Sequence, residues 1–244
     1  MSEVGRRVGD MPKPRPTAAT DPEKPAEKPP ESPRMPESLE PLEPEPEADD
    51  FDGASWYQVS LEGVDLSGAR VEEAEIEQCR LTRVGLAGAE IRHLTVVDSV
   101  IDHGDWANAV FESCGLRRLR LEENRMTGMT FIDGMVRDVE FRDSKLDLTN
   151  WRANTFTSVH FARCDLSGAD FNGADLRGVV FSECGLEGAQ FSNAKANGAR
   201  FLDCDLGGIG GIGSLAGATI RSGDLLTLTG LLARELGITI EATA

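Results

Sequence analysis

The sequence predicts an all-β solenoid with four sides to each coil, preceded by a disordered acidic arm and closed by a C-terminal helix. Two observations carry this. Every fifth residue from Phe51 to Leu206 is apolar, with no insertion or deletion, and only Ala196 in that column is small. All 12 prolines lie between Pro12 and Pro46, so the composition changes abruptly near residue 50.

The arm comes first. Residues 1–50 carry 7 Lys and Arg against 13 Asp and Glu, with few large apolar side chains. Such a segment buries too little surface to offset its ordering entropy. It is expected to be extended and partly polyproline II, rising about 3.1 Å per residue. Pro22, Pro25, Pro30, Pro33, Pro36, Pro41 and Pro44 create P-x-x-P spacings, a pattern that aromatic grooves bind. A solvated spacer has the same composition and is the preferred reading.

The repeat spans residues 51–206. Two residues before each large apolar position lies a mostly small one, and all five cysteines fall in this second column: Cys79, Cys114, Cys164, Cys184 and Cys204. A period of five fits neither a helix nor a plain strand. It fits a chain that turns a corner every five residues, with one small and one large side chain inward. Phe141, Phe161, Phe181 and Phe201 recur every 20 residues, as do Phe111, Phe131, Phe171 and Phe191 with Trp151 filling their gap. A 15-residue coil would stack Phe on Leu, whereas a 20-residue coil stacks like on like, which lets aromatic rings offset-stack. Four sides are therefore expected. The core is assigned to these aromatic residues with Leu66, Cys164, Cys184 and Cys204. Glycines such as Gly68, Gly88, Gly168 and Gly188 mark corners that can adopt positive φ.

The middle of the repeat departs from this pattern. Leu94, Leu119 and Met129 are large for the small column, Gly104 and Gly134 leave it empty, and Asn124 and Asn154 place amides inside that need partners. Volume compensation between coils is preferred over a bend. Beyond Leu206 the phase slips: Leu215 and Ile220 resume the five-step one residue out of register. Ser222 can then cap a helix running to about Leu236, stopped by Gly237. Leu225, Leu228, Leu232 and Leu236 share one helical face as a lid over the open end, and residues 237–241 can return as a short strand. The organisation read from the sequence is thus an arm (1–50), a solenoid (51–220) and a cap (221–244).

The chain resembles the pentapeptide-repeat family, whose consensus is A(D/N)LXX. The nearest matches are CDLSG at 164–168, ADFNG at 169–173 and ADLRG at 174–178. The resemblance implies a right-handed quadrilateral β-helix with coils about 4.8 Å apart. It also implies homodimerisation through the C-terminal end, which would employ the surplus leucines of the cap. One branch of the family confers quinolone resistance by presenting an acidic rod that mimics DNA to DNA gyrase.

Chemistry is scarce. His93, His103 and His160 fall in outward columns on different coils, and DHGD at 102–105 matches no zinc or calcium spacing. The cysteines lack CxxC pairing. A disulfide between neighbours one coil apart is geometrically conceivable, but reduced thiols are preferred. No nucleophile elbow, P-loop or dinucleotide fingerprint occurs. Neither catalytic, cofactor nor metal residues are expected, and the protein is not expected to be an enzyme. A net charge of −17 opposes direct binding to nucleic acid or anionic membrane. No apolar stretch follows the first positive charges, so no secretory signal is expected and a cytoplasmic location is.

The charge also bears on mimicry. Residues 51–206 carry 16 Lys and Arg against 26 Asp and Glu. Over a rod of about 37 Å that is one net charge per about 3.7 Å, against about 1.7 Å in duplex DNA. The preferred function is accordingly a non-enzymatic scaffold binding an unknown protein through its flat sides. The alternative is an acidic DNA mimic acting on gyrase or another type II topoisomerase. A metal or redox responder using His103 or the cysteine column ranks third.

Overall fold

The computed structural model describes residues 28–43, 46–221, 223 and 225–239 of the 244-residue chain. Its body is a four-sided β-solenoid. Parallel pairing joins each residue to the one twenty positions later: Phe141 to Phe161 to Phe181 to Phe201, and Asp65 to Gly85 to Asp105 to Arg125. The coil therefore closes in twenty residues, as the like-on-like spacing predicts.

The four faces are named here by their large inward residues. The first carries Trp56 to Ala196, the second Leu61 to Phe201, the third Leu66 to Leu206 and the fourth Phe51 to Phe191. Strands stack along the second face from Val59–Glu62 to Thr219–Ile220, and along the fourth from Arg70–Val71 to Thr130–Ile132. In mid-rod the strands Gly115–Glu122, Met135–Arg142 and Thr155–Ala162 continue from the first face around the corner onto the second. Corners lie in the left-handed region. On the third face they are mostly glycine, such as Gly68 (φ 70°) and Gly168 (φ 66°), and elsewhere they are non-glycine, such as Gln78, Asp98, Arg118 and Asp138.

The assigned core is in place. Leu66, Phe111, Phe131, Phe141, Trp151, Phe161, Phe171, Phe181, Phe191, Phe201, Cys164, Cys184 and Cys204 are each at most 5 % exposed. On the second face Phe141, Phe161, Phe181 and Phe201 form a stack with centroids 4.8, 5.1 and 4.9 Å apart and rings within 6° of parallel. On the fourth face Phe111, Phe131 and Trp151 are tilted by 34–39° at 5.6–5.9 Å. Parallel offset rings are the arrangement that twenty-residue stacking of identical side chains permits.

The polar atoms of the small column have a common task. The single S–H of Cys79 is shared between the carbonyls of Trp56 and Glu77, and that of Cys184 between those of Phe161 and Ser182. Asn124 Nδ2 repeats the pattern toward Ile101 and Glu122 at 3.0 and 3.1 Å. Each therefore supplies a donor to one carbonyl in the coil below and one just before its own corner. Cysteine is small and carries a weak donor, so it meets both demands of the position. All five cysteines are reduced and buried. Burial pushes the Cys114 thiol up to about 11, and its hydrogen bond with Cys164, together with burial, raises Cys184 to about 12. The hydrogen bond with Cys184 shifts Cys164 the other way, downward, so burial, common to all five, is what keeps reagents from these thiols. A thiol-titrating disulfide reagent at pH 8 is expected to label essentially none of the five in the native protein and all of them in guanidinium.

Two of the irregular positions are compensated between adjacent coils. Gly104 sits one coil below Asn124 and donates its N–H to Asn124 Oδ1 at 2.8 Å. Gly134 does the same with Asn154 Oδ1 at 2.8 Å, and Asn154 Nδ2 donates to the Phe131 carbonyl. The missing Cβ makes the room: a Cβ on Gly134 would lie 2.1 Å from Phe131 Cε1.

Both ends differ in detail from expectation. At the C-terminus Phe201 pairs with Ile220, a nineteen-residue step that confirms the phase slip. The helix spans Leu225–Glu235 and ends at Gly237 with φ 69°. Leu228 is buried and Leu231 packs on the core, whereas Leu232 is 39 % and Leu236 74 % exposed. The lid face is therefore Leu228 with Leu231, not the stripe through Leu232 and Leu236. A helix lying across a flat coil end presents an i, i+3 pair to it, and the rest of a wider apolar stripe is left outside. Residues 237–239 are not a strand; Ser222, the Leu225 side chain and residues 240–244 lie outside the described residues.

At the N-terminus the expected disorder of residues 1–27 also lies outside the described residues. Residues 28–43, by contrast, run along the rod, and this corrects the boundary at residue 50. Strand Glu40–Pro41 adds to the second face beside Val59 and Ser60. Proline there lacks an N–H, which blunts the sheet edge. The 3₁₀ turn Ala48–Phe51 follows, and Phe51 stacks on Trp56 at 5.0 Å.

Candidate interaction surfaces

Because the core consumes two side chains in five, the other three form the surface, and each face is a ladder of outward columns. Four features stand out.

The first is the corner between the first and second faces, built from Gln58, Gln78, Asp98, Arg118 and Asp138, all in the left-handed region. The N-terminal strap lies over it. The Arg34 N–H donates to Asp98 Oδ1 at 3.0 Å and the Glu31 N–H to Asp138 Oδ1 at 3.3 Å. Gln78 Nε2 donates to the Arg34 carbonyl at 2.9 Å, and Gln58 Nε2 to Gln78 Oε1 at 2.6 Å. Beneath the strap, Arg118 grips Asp98 through Nε at 2.6 Å and through Nη2, with Asp98 only 3 % exposed. Burial raises the Asp98 carboxyl, and the hydrogen bonds from Arg118 and Arg34 outweigh it, holding the group below its ordinary value. A depressed carboxyl stabilises the fold above its unfolded pKa, about 3.9, and loses that contribution as pH falls through the folded value. Asp98→Asn is thus expected to unfold earlier in urea than the parent at pH 7. The gap in midpoint should narrow as the pH is lowered below about 4.

The second is an apolar cluster at mid-rod on and beside the fourth face. Val110 and Ile132 lie on the paired strands Val110–Glu112 and Thr130–Ile132. Leu148 occupies the adjoining corner two residues before Asn150, which bridges to Thr130. Met135 lies just past the opposite corner. Their exposures are 36, 37, 65 and 56 %. Leu148 has φ 58°, a conformation that costs a non-glycine residue about 1–2 kcal/mol.

The third is the charge ladder. Arg92 bridges Glu72 and Glu112 on the coils either side, Arg125 pairs with Asp105, and Arg163 pairs with Asp143 through two bonds of 2.7 Å. Acidic side chains are thus answered across coils. The last is a shallow open depression near the N-terminal end of the first face, lined by Ser55, Tyr57, Glu75, Glu77, Thr95 and Val97.

The histidines stay apart. His103 sits between Asp102 at 3.3 Å and Glu123 at 2.7 Å, half exposed. His160 meets Ser182 Oγ at 2.8 Å, and burial lowers its pKa. Among the described residues no three His, Cys, Asp or Glu side chains cluster as metal ligands, and no helix is long and apolar enough to cross a membrane. Sequence reasoning placed the core residues but missed the strap site and the mid-rod cluster. Val110, Ile132, Met135 and Leu148 do not share one column of the repeat, so no periodic signal marks the cluster.

Comparison with known proteins agrees with the repeat. Family models for a pentapeptide repeat region and for pentapeptide repeats match residues 154–214 and 50–83. The solved structures it resembles include HetL, a pentapeptide-repeat protein involved in heterocyst differentiation regulation in the cyanobacterium Nostoc sp. strain PCC 7120, at 19 % identity. That match covers 69 % of this chain and 86 % of HetL, with a TM-score of 0.35. Full-length QnrB1, a plasmid-mediated fluoroquinolone resistance protein, matches at 20 % identity over 75 % of this chain and all of that one, with a TM-score of 0.29. Rfr23 from the cyanobacterium Cyanothece 51142 matches at 13 % identity over 69 % and 89 %, with a TM-score of 0.14. No curated protein sequence matches the chain. Taken with the unbroken five-residue repeat and its four-sided coil, the chain is a pentapeptide-repeat protein.

Proposed function

We propose that the protein is a non-enzymatic, cytoplasmic scaffold that binds another protein through the middle coils of its fourth face. The observation that carries this reading is the cluster of Val110, Ile132, Met135 and Leu148, the exposed large apolar side chains between the two ends of the rod. Exposed apolar patches rimmed by polar residues mark protein contacts, and Leu148 holds a strained corner without contributing to the core. The test is affinity capture from source-cell extract with the parent and with Ile132→Asp combined with Leu148→Asp. Leu148→Asp is a surface change, and Ile132→Asp, set opposite Glu112, should cost about 1 kcal/mol, so thermal unfolding is recorded to show that the variant is folded. A protein captured by the parent and lost from the variant supports the reading. Identical capture by both overturns it.

The DNA-mimic reading draws support from the net charge of −17 and from outward acids on the third face at Asp65, Asp105, Asp147, Asp165 and Asp205. The cross-coil pairs of Arg92, Arg125 and Arg163 weaken it, because they neutralise acids that a phosphate-like stripe would leave free. It requires inhibition or drug protection of gyrase supercoiling by the purified protein at micromolar levels. A homodimer through the C-terminal end would use the exposed Leu232, Leu236 and Ile238. Light scattering of a Leu232→Asp, Leu236→Asp variant against the parent decides it.

A further inference from the structure

We propose that the corner column from Gln78 to Asp138 is a recognition site for polyproline-II segments of partner proteins, and that residues 28–41 are its tethered resident ligand. The inference deepens the scaffold reading by adding a second surface, diagonally across the coil from the corner that holds Leu148.

The geometry is a match of two periods. A polyproline-II chain advances about 9.3 Å in three residues and leaves its backbone groups free of internal hydrogen bonds. Two coils of the solenoid rise about 9.6 Å. The amides of Glu31 and Arg34, three residues apart, reach Asp138 and Asp98, which stand two coils apart. Proline precedes each of these amides, and Pro30, Pro33 and Pro36 are all half-buried against the rod. Arg118, on the coil between, fixes the Asp98 carboxylate in place, and Gln78 reads the one carbonyl.

The site therefore recognises the backbone of a P-x-x-P segment, and the side chains enter little. Lys28 and Arg34 spend their charges on Glu31 within the strap itself. The carboxylates also define the limits of the site, since the same corner continues as Ser158, Gly178 and Gly198 without acids. No residue from 28 to 43 is fully buried. The strap is thus the kind of marginally held element that opens locally, and a competing segment of the same chemistry can replace it. As a tethered ligand it acts at an effective concentration in roughly the millimolar range, which masks the site from weak competitors.

The test uses the full chain with Pro30→Gly, Pro33→Gly and Pro36→Gly, which loosens the strap and leaves the solenoid untouched. A fluorescent peptide of residues 28–43 is titrated against this variant and the parent, with fluorescence anisotropy as the readout. The variant should bind at least about tenfold more tightly than the parent, since the tether no longer competes. A peptide N-methylated at the Glu31 and Arg34 amides should lose at least about tenfold in affinity, and Asp98→Asn with Asp138→Asn in the loosened chain should do the same. The N-methylated peptide keeps the test decisive if those substitutions perturb folding. Absence of saturable binding, or equal binding of the N-methylated peptide, overturns the proposal. Either result leaves capture through Ile132 and Leu148 to be judged separately.

Discussion

Phe161→Ala is expected to lower the unfolding free energy by about 3–5 kcal/mol, the range for removing a fully buried aromatic ring. Phe161 lies between Phe141 and Phe181 in the parallel stack and also meets Trp151, Phe156 and Phe171 edge-on or tilted at 6.2–6.4 Å. The rod is quasi-one-dimensional, each coil supported only by its neighbours. One cavity therefore weakens two coil interfaces, and backbone pairing at fixed spacing prevents the coils from closing over it. The stacked geometry itself adds about 0.5–1.5 kcal/mol beyond area burial. Phe111→Ala, in the tilted fourth-face ladder, should accordingly cost somewhat less at similar burial. Urea unfolding followed by circular dichroism measures both. A loss under about 1 kcal/mol at Phe161, below the range for emptying a core site, would mean that the stack does not hold the coils together.

Asn154→Leu is expected to destabilise the protein by about 2–4 kcal/mol, although it puts an apolar side chain of similar volume into the core. Asn154 accepts the Gly134 N–H and donates to the Phe131 carbonyl. Leucine leaves both buried without partners, at about 1–3 kcal/mol each. Gly134→Ala attacks the same unit from the other coil by driving a Cβ into the Phe131 ring, an overpacking cost of about 1–3 kcal/mol. Because the two residues share one hydrogen bond, the double variant should fall short of the sum. Additive losses in denaturant titrations would show that the glycine and the asparagine are independent.

The inner side of the molecule was legible because one rule fixes it. A residue such as Phe181 has no alternative once its column is known, and its partners at Phe161 and Phe201 follow from the twenty-residue spacing. The Gly134–Asn154 pairing was half legible: both departures were visible, and only their superposition on adjacent coils showed that one fills the other. The strap was not legible, although Pro30, Pro33 and Pro36 were plain in the sequence. Composition judges whether a segment can build a core, and this one borrows polar contacts from a core built elsewhere. Recognising it required knowing that Asp98 and Asp138 share a corner, a consequence of coil closure that no local window contains. At the C-terminus the helical period correctly grouped Leu228, Leu232 and Leu236 on one face. Which part of that face meets the coil end depends on how the helix lies across it, and Leu231, off the stripe, packs there instead of Leu232 and Leu236. The surface cluster at Leu148 obeys no period, so only exposure on the finished rod reveals it.

Every surface assigned above exists only if the coil closes after twenty residues. The direct measurement is disulfide trapping between cysteines introduced at outward positions of the fourth face. Val110→Cys with Thr130→Cys places two thiols on directly paired residues, at a separation of about 4.8 Å that a disulfide spans. Mild oxidation should close that pair rapidly, while Val110→Cys with Arg125→Cys, fifteen residues apart and on another face, should stay open. Closure of the fifteen-residue pair with the twenty-residue pair left reduced would contradict the four-sided coil and every surface drawn on it.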